Sequence, residues 1–252
     1  MLRLFHKLRL RFLFEMKFGK YLLYAFGEVL ILIFGIVIAL QVNNWNQNAQ
    51  NRITEISLLS SMKNELKRDL AELDQTIAIH SVGIKAAQAI IYHFENDLPY
   101  HDSLAIDFLD TSIATMNSYQ EGSYVTLQSL GVSLISNDSL RNQIIELYAL
   151  YKTMIRAEGL NISRIEHAEN NIFNDRFDQL YYFETNTSLE NDFGRMIPLD
   201  YEALKKDDEY NFFIRTYKYA NKQYLIWWIH PARERVVNLI SHIENELKVL
   251  EK

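Results

Sequence analysis

Between Tyr21 and Val42 the chain reads YLLYAFGEVLILIFGIVIALQV, with Glu28 as its only charged residue. As a helix this stretch spans roughly 33 Å, enough to cross the hydrocarbon core of a bilayer. Few arrangements accommodate such a segment, and the simplest is a transmembrane helix. A cleaved signal peptide has a shorter apolar core and ends in a small-residue cleavage site. Here the run passes into Gln41-Val42-Asn43-Asn44-Trp45-Asn46, with no such site, so the expectation is a retained anchor.

Charge gives the anchor a direction. Arg3, Lys7, Arg9, Arg11, Lys17 and Lys20 precede the apolar run, and the next basic residue is Arg52. Basic residues stay on the cytoplasmic side, so the expected topology is N-terminus in the cytoplasm and the bulk of the chain beyond the inner membrane. Tyr21, Tyr24 and Trp45 fall where interfacial aromatic residues belong. Residues 2–18 mix Leu and Phe with the basic groups and fit either a helix lying on the inner leaflet or a loose basic tail. Some 20 residues on that side are too few for a kinase or other output domain.

Glu28 is expensive inside a membrane and marks a candidate site. With Gly35 and Ala39 it falls on one helical stripe. Small residues there let a second helix approach closely, and a polar group can be satisfied across the contact. The expected partners are the lipid bilayer and other membrane helices, or copies of the same chain. In the alternative reading, Glu28 is protonated or reaches toward the headgroups.

Beyond the anchor the chain is acidic. The full sequence has 26 basic and 32 acidic residues; setting aside the six N-terminal cations, Glu15 and Glu28 leaves 20 basic against 30 acidic in residues 43–252. Such a domain repels a phosphate backbone, and nucleic acid is excluded as a partner. Eight Gly and three Pro in 252 residues argue for long helices over sheets and turns. With no Cys there is no disulfide framework, thiol nucleophile or thiolate metal site.

The fold class expected is all-α: an antiparallel helical bundle with one very long first helix. Residues 1–20 form a basic segment, 21–43 the transmembrane helix and 44–252 the periplasmic bundle. From Gln47 to Glu95 there is no Pro and a single Gly, Gly83. Leu66, Leu70, Leu73, Ile77, His80, Ile84, Ala87, Ile91 and Phe94 alternate at spacings of four and three, which predicts a coiled-coil-like seam ending at Asn96-Asp97-Leu98-Pro99. Further helices are predicted over 103–115 with Asp102 as cap, over 124–130 stopped by Gly131, and over 139–183 after the caps Ser136-Asn137-Asp138. The last runs over 208–250, bent at Pro231, and residues 184–199 read as a loop.

No catalytic signature is present. The chain lacks His-Glu-x-x-His, the Glu-x-x-His pair of di-iron bundles, a Gly-x-Ser-x-Gly elbow and phosphate-binding glycine loops. Glu166/Glu169 and Asp207/Asp208 read as a solvated face and a helix start. No catalytic, metal or cofactor residue is assigned, and the chain is not expected to be an enzyme. Phe213, Tyr217, Tyr224, Trp227 and Trp228 crowd the last helix, and Phe213, Tyr217, Tyr224 and Trp228 fall on one face, most simply as core. Tyr181, Tyr182 and Phe183 add to the aromatic content before it, and the surplus on other faces could dock a partner or line a small-molecule pocket.

The block KYLLYAFGEVLILIFGIVIALQVNNWN at 20–46 resembles the signature of a domain-of-unknown-function family of Gram-negative envelope proteins. SYVTLQSLGVSLISNDSLRNQIIELY at 123–148 is similar to that family's internal motif. The resemblance implies an inner-membrane anchor carrying a periplasmic helical domain. It brings no catalytic residue and leaves residues 1–18 uncovered. The function expected is that of a non-catalytic envelope component acting through helix pairing and docking; the alternative is a sensory or ligand-binding module that signals through a separate partner.

Overall fold

The structure, a computed structural model, describes residues 18–178 and 194–252. The expectations for residues 1–17, and for Tyr181, Tyr182 and Phe183, lie outside the described residues. Among the described residues every regular element is helical, apart from an isolated antiparallel bridge between Phe177 and Pro198. The elements are α1 (Phe18–Glu95), α2 (Leu104–Asp110), α3 (Gly122–Leu130), a 3₁₀ turn (Val132–Leu134), α4 (Asp138–Ala168), a π turn (Glu169–Phe173), α5 (Tyr201–Lys205), α6 (Asp208–Tyr224), a second π turn (Leu225–Ile229) and α7 (His230–Leu250).

The chain divides into two compact units, Met1–Glu55 and Ile56–Lys252. In the first, α1 carries the apolar run. Every large apolar side chain described from Leu22 to Val42 is exposed, from 38 % at Leu30 to 77 % at Leu23. This helix is long and apolar enough to cross a membrane.

The second unit is built on the C-terminal part of α1, with no internal Pro to interrupt the backbone ladder. Its last carbonyls are closed by Leu98 N donating to His93 O at 3.0 Å and Asp97 N to Phe94 O at 3.4 Å, with Asp97 at φ 49°. That is a Schellman closure with Asp in the left-handed place usually given to Gly. Pairs at Glu95–Arg215, Asp74–Arg233 and Lys67–Glu244 show α6 and α7 running antiparallel to α1.

Two cores lie along α1. One joins Leu59, Met62, Leu66 and Leu73 to Leu140, Ile144, Leu147 and Met154 of α4 and to Val236, Leu239 and Ile243 of α7. The other joins Ala87, Ile90 and Ile91 to Phe108, Phe173, Tyr210, Phe213 and Tyr217.

The buried positions of α1 do alternate by three and four, but along Leu59, Met62, Leu66, Asp69, Leu73, Thr76, His80, Gly83, Ala87 and Ile90. The predicted seam shares Leu66, Leu73, His80 and Ala87 with this line. Leu70, Ile77 and Ile84 are only half-buried beside it. The apolar pattern thus drew the seam to one side, because three centre-line positions are Asp, Thr and Gly. At Gly83 an added Cβ would strike Tyr217 Oη and come within 3.0 Å of Asp110 O, so the missing side chain lets α6 and the end of α2 close on α1.

Several boundaries differ from expectation, each for a local reason. Asp102 makes no cap; His101 Nδ1 instead meets Ser103 Oγ and accepts from Ser103 N. α2 stops at Asp110 because Thr111 Oγ1 and Ser112 Oγ bond back to Phe108 O and Leu109 O, both at 2.8 Å. The cap of α4 is Asn137, accepting from Leu140 N, and α4 gives way to a π turn and then an irregular segment by Asn174, well before residue 183. Asp200 and Asp207 cap α5 and α6 in the same way. At Pro231 the helix is accommodated by the π turn just before it. An α-helical Pro231 would lack its bond to Trp227 O and crowd that carbonyl, and one surplus residue moves the strain out of register.

That π turn breaks the face predicted for Phe213, Tyr217, Tyr224 and Trp228. Tyr224, Leu225 and Ile229 take the buried places there, so Trp228 ends half-buried and Trp227 is 62 % exposed. Phe213 and Tyr217 belong to one core, Tyr224 to the other.

Candidate functional site

Two places hold the chemistry of this chain. The first is the stripe Glu28, Gly35 and Ala39 on the apolar part of α1. All three are exposed, and nothing lies within 4 Å of a Cβ added at Gly35.

The second is a buried polar layer between the two cores, organised by the segment that links α2 to α3. Residues 111–121 have no helix of their own, so their main-chain groups need partners from elsewhere. Carboxylates supply them. Asp69 Oδ1 accepts from Gln120 N at 2.9 Å and Glu72 from Ser118 N at 3.2 Å, while Glu65 accepts from Ser123 N at 3.0 Å in the first turn of α3. Positions 65, 69 and 72 share one face of α1 at helical spacing. From the opposite side, Glu158 of α4 accepts from Asn117 N at 3.3 Å.

Glu158 is nearly fully buried, and among the described residues its partners are hydrogen-bond donors, with no ion pair. Besides Asn117 N it accepts from Asn117 Nδ2, from Tyr119 Oη at 3.3 Å and from Tyr224 Oη at 2.6 Å. Several donors on one carboxylate replace the water it has lost. Thr76 donates to Asn117 Oδ1 at 2.6 Å, tying the network to α1.

Asp69 is fully buried and has fewer donors: Gln120 N and Tyr151 Oη, the latter at 3.1 Å. Burial pushes its carboxyl up to about 6, the two hydrogen bonds oppose that rise, and the charges of Glu72 and Glu65 add to it. Tyr119 stacks on Tyr151 with ring centroids 4.1 Å apart, and Tyr124 stacks likewise on Tyr148. Burial raises the hydroxyls of Tyr119, Tyr148, Tyr151 and Tyr224 far above their ordinary range, so they keep their protons and can donate them; Tyr119 Oη also accepts from Asn117 Nδ2 at 3.3 Å.

His80 sits at the edge of the layer, Nδ1 with Asn221 Oδ1 at 2.5 Å and Nε2 with Thr115 Oγ1 at 2.8 Å. Burial lowers its affinity for a proton, against the pull of Asn221. A small pocket beside it, about 10 Å³, is lined by Arg164, Asn161, Tyr217 and Asn221 and has room for about one water molecule. Among the described residues no three His, Cys, Asp or Glu side chains are arranged to hold a metal ion.

Of the residues singled out in the sequence, Phe213, Tyr217 and Tyr224 are buried, and Tyr217 Oη donates to Asp110 O at 3.1 Å. Trp227, exposed beside Ile226, is the part of that group left on the surface. Sequence reading missed Asp69, Asn117 and Glu158. The signal for Asp69 was its place in the series Met62, Asp69, Thr76, Gly83, Ile90, each seven residues apart.

A family model described as a family of unknown function (DUF6090) matches residues 28–193. The chain belongs to that family. The DUF6090 match begins at Glu28, within the apolar run, and takes in the carboxylates 65, 69, 72 and 158 with the segment they hold. It ends before α5, so Asn221 and Tyr224 lie beyond it. No curated protein and no solved structure matches the chain.

Proposed function

We propose that this chain is a single-pass inner-membrane protein, N-terminus in the cytoplasm and helical domain in the periplasm. It acts as a non-catalytic envelope component, pairing its membrane helix with others and docking a partner, or a second copy, through the bundle. The observation that carries this reading is the apolar run of α1. Every large apolar side chain described in it is exposed, whereas the second unit buries its larger apolar side chains in two cores. Isolated in water, such a surface is far larger than a soluble monomer tolerates. The basic cluster before Tyr21 supports the orientation, and the open face at Glu28, Gly35 and Ala39 supports pairing.

The buried carboxylates favour a structural reading over a catalytic one. Glu158 and Asp69 are directed at main-chain amides and tyrosine hydroxyls, not at an open cleft. A sensory module remains the second reading, and it requires a ligand site larger than the crevice at His80.

Two measurements test the proposal. Reporter fusions after residue 46 should be active only as periplasmic fusions, and activity on the cytoplasmic side would overturn the orientation. Single-cysteine crosslinking along 28–39 in membranes should give adducts at positions 28, 35 and 39 and not on the opposite face. Uniform or absent crosslinking would remove the pairing role, and a melting temperature that shifts with periplasmic metabolites would favour the sensory reading.

A further inference from the structure

The segment 111–121 is held in an unusual way. Its ends are fixed by α2 and α3, but its middle is bound by acidic side chains that accept from main-chain amides: Glu72 at Ser118, Asp69 at Gln120 and Glu158 at Asn117. No lysine, arginine or histidine is among the groups that set the charge state of Asp69. On α1 it faces Glu65 and Glu72. On α4 it faces Tyr151 and Tyr148, and the segment itself brings Tyr119 against Tyr151 and Glu121 near Tyr148. An ionised Asp69 is therefore a buried anion between two more anions, with two donors to offset it.

We propose that residues 111–121 form a proton-operated strap: it lies closed over the polar layer while Asp69 is neutral, and opens more often once Asp69 ionises. The proposal is independent of how the apolar run of α1 is placed. Opening lifts Gln120 and Tyr119 off Asp69 and Tyr151 and admits water to the carboxylate. That water is worth little to a neutral acid and a great deal to a charged one. The closed state holds its proton up to about pH 6, whereas an opened, hydrated Asp69 returns toward its ordinary value of 3.8. By linkage the form that binds the proton more tightly gains as pH falls, so acid closes the strap and rising pH loosens it. His80 also touches the strap, through Thr115, and favours opening in acid because the closed state disfavours its charged form. The two groups pull in opposite senses, and the experiment must separate them.

Hydrogen exchange of the Gln120 amide, read on the full chain in detergent from pH 5 to 8 and corrected for the intrinsic rate, does so when the wild type is compared with Asp69→Asn at each pH. The ratio of opening in the wild type to opening in the variant should rise about tenfold from pH 5 to pH 8. The His80 contribution cancels in that ratio. A ratio that stays flat, or rises toward acid, overturns the proposal. Should Asp69→Asn fail to fold, Tyr151→Phe serves. It removes a hydrogen bond that favours the charged carboxylate, so the onset of Gln120 opening should move to higher pH; an unchanged onset overturns the proposal equally. The amide of Ile144, deep in α4, should show no pH-dependent difference between the proteins, and a matching change there would mean global unfolding and overturn a local strap.

Discussion

Replacing Gly83 by alanine tests the packing of the second unit where it is tightest. In an exposed mid-helix position this change stabilises by about 1 kcal/mol, through helix propensity alone. Here the new methyl group meets Tyr217 Oη, whose ring is 3 % exposed and cannot swing away, and comes to 3.0 Å from Asp110 O, which is main chain. Making room disrupts the bond from Tyr217 Oη to Asp110 O and leaves two polar groups short of a partner, at a cost of about 1–3 kcal/mol. Overpacking adds about 1–3 kcal/mol more. Set against the propensity gain, the expected net loss is about 3 kcal/mol, or about 6–12 °C in Tm for a domain of this size. Thermal unfolding of the full chain in detergent, followed by circular dichroism, reads this directly. In a Tyr217→Phe background, with the hydroxyl gone, the same substitution should cost under about 1 kcal/mol. A Gly83→Ala protein that melts higher than the wild type would refute the close approach of α6 to α1.

Glu158→Ala should destabilise by about 3 kcal/mol or more, measured by urea unfolding, because Asn117, Tyr119 and Tyr224 all lose their acceptor at once. Asp69→Asn should raise stability by about 3 kcal/mol at pH 7.5 and by much less near pH 4. The folded protein holds the Asp69 proton up to about 6 against 3.8 when unfolded, so ionisation at neutral pH weakens the wild type alone. His80 has the opposite sign: its folded form resists protonation, so the stability it contributes is full above the unfolded value of 6.5 and is lost as pH falls below it. A pH series of melting temperatures for His80→Gln should lack that acid-side loss.

The apolar run of α1 was legible because a bilayer-length stretch with one charge has few alternative uses, and the all-helical class followed from scarce Gly and Pro. Helix ends set by side-chain caps, such as Asn137, were also readable. What stayed hidden was decided by contacts distant in sequence. The seam of α1 was drawn through Leu70, Ile77 and Ile84 because apolarity was the only available guide. Its true line carries Asp69, Thr76 and Gly83, whose burial makes sense only once residues 111–121 and Tyr217 lie against them. Nothing near Glu158 in the sequence marks it, since its donors sit 39 to 66 residues away. The face that joined Trp228 to Phe213, Tyr217 and Tyr224 failed for a subtler reason, as helical periodicity carries no sign of a π turn.

That turn at Leu225–Ile229 has a consequence for mutational order. Deleting one residue there would restore ordinary helical phase and place the ring of Pro231 against a carbonyl of the preceding turn. Replacing Pro231 alone would leave a surplus residue with no remaining cause. Each change is harmful or idle by itself, and together they would yield an uninterrupted helix with the same faces buried. The route between the two forms is therefore a pair of linked steps, and a survey of single substitutions would miss it.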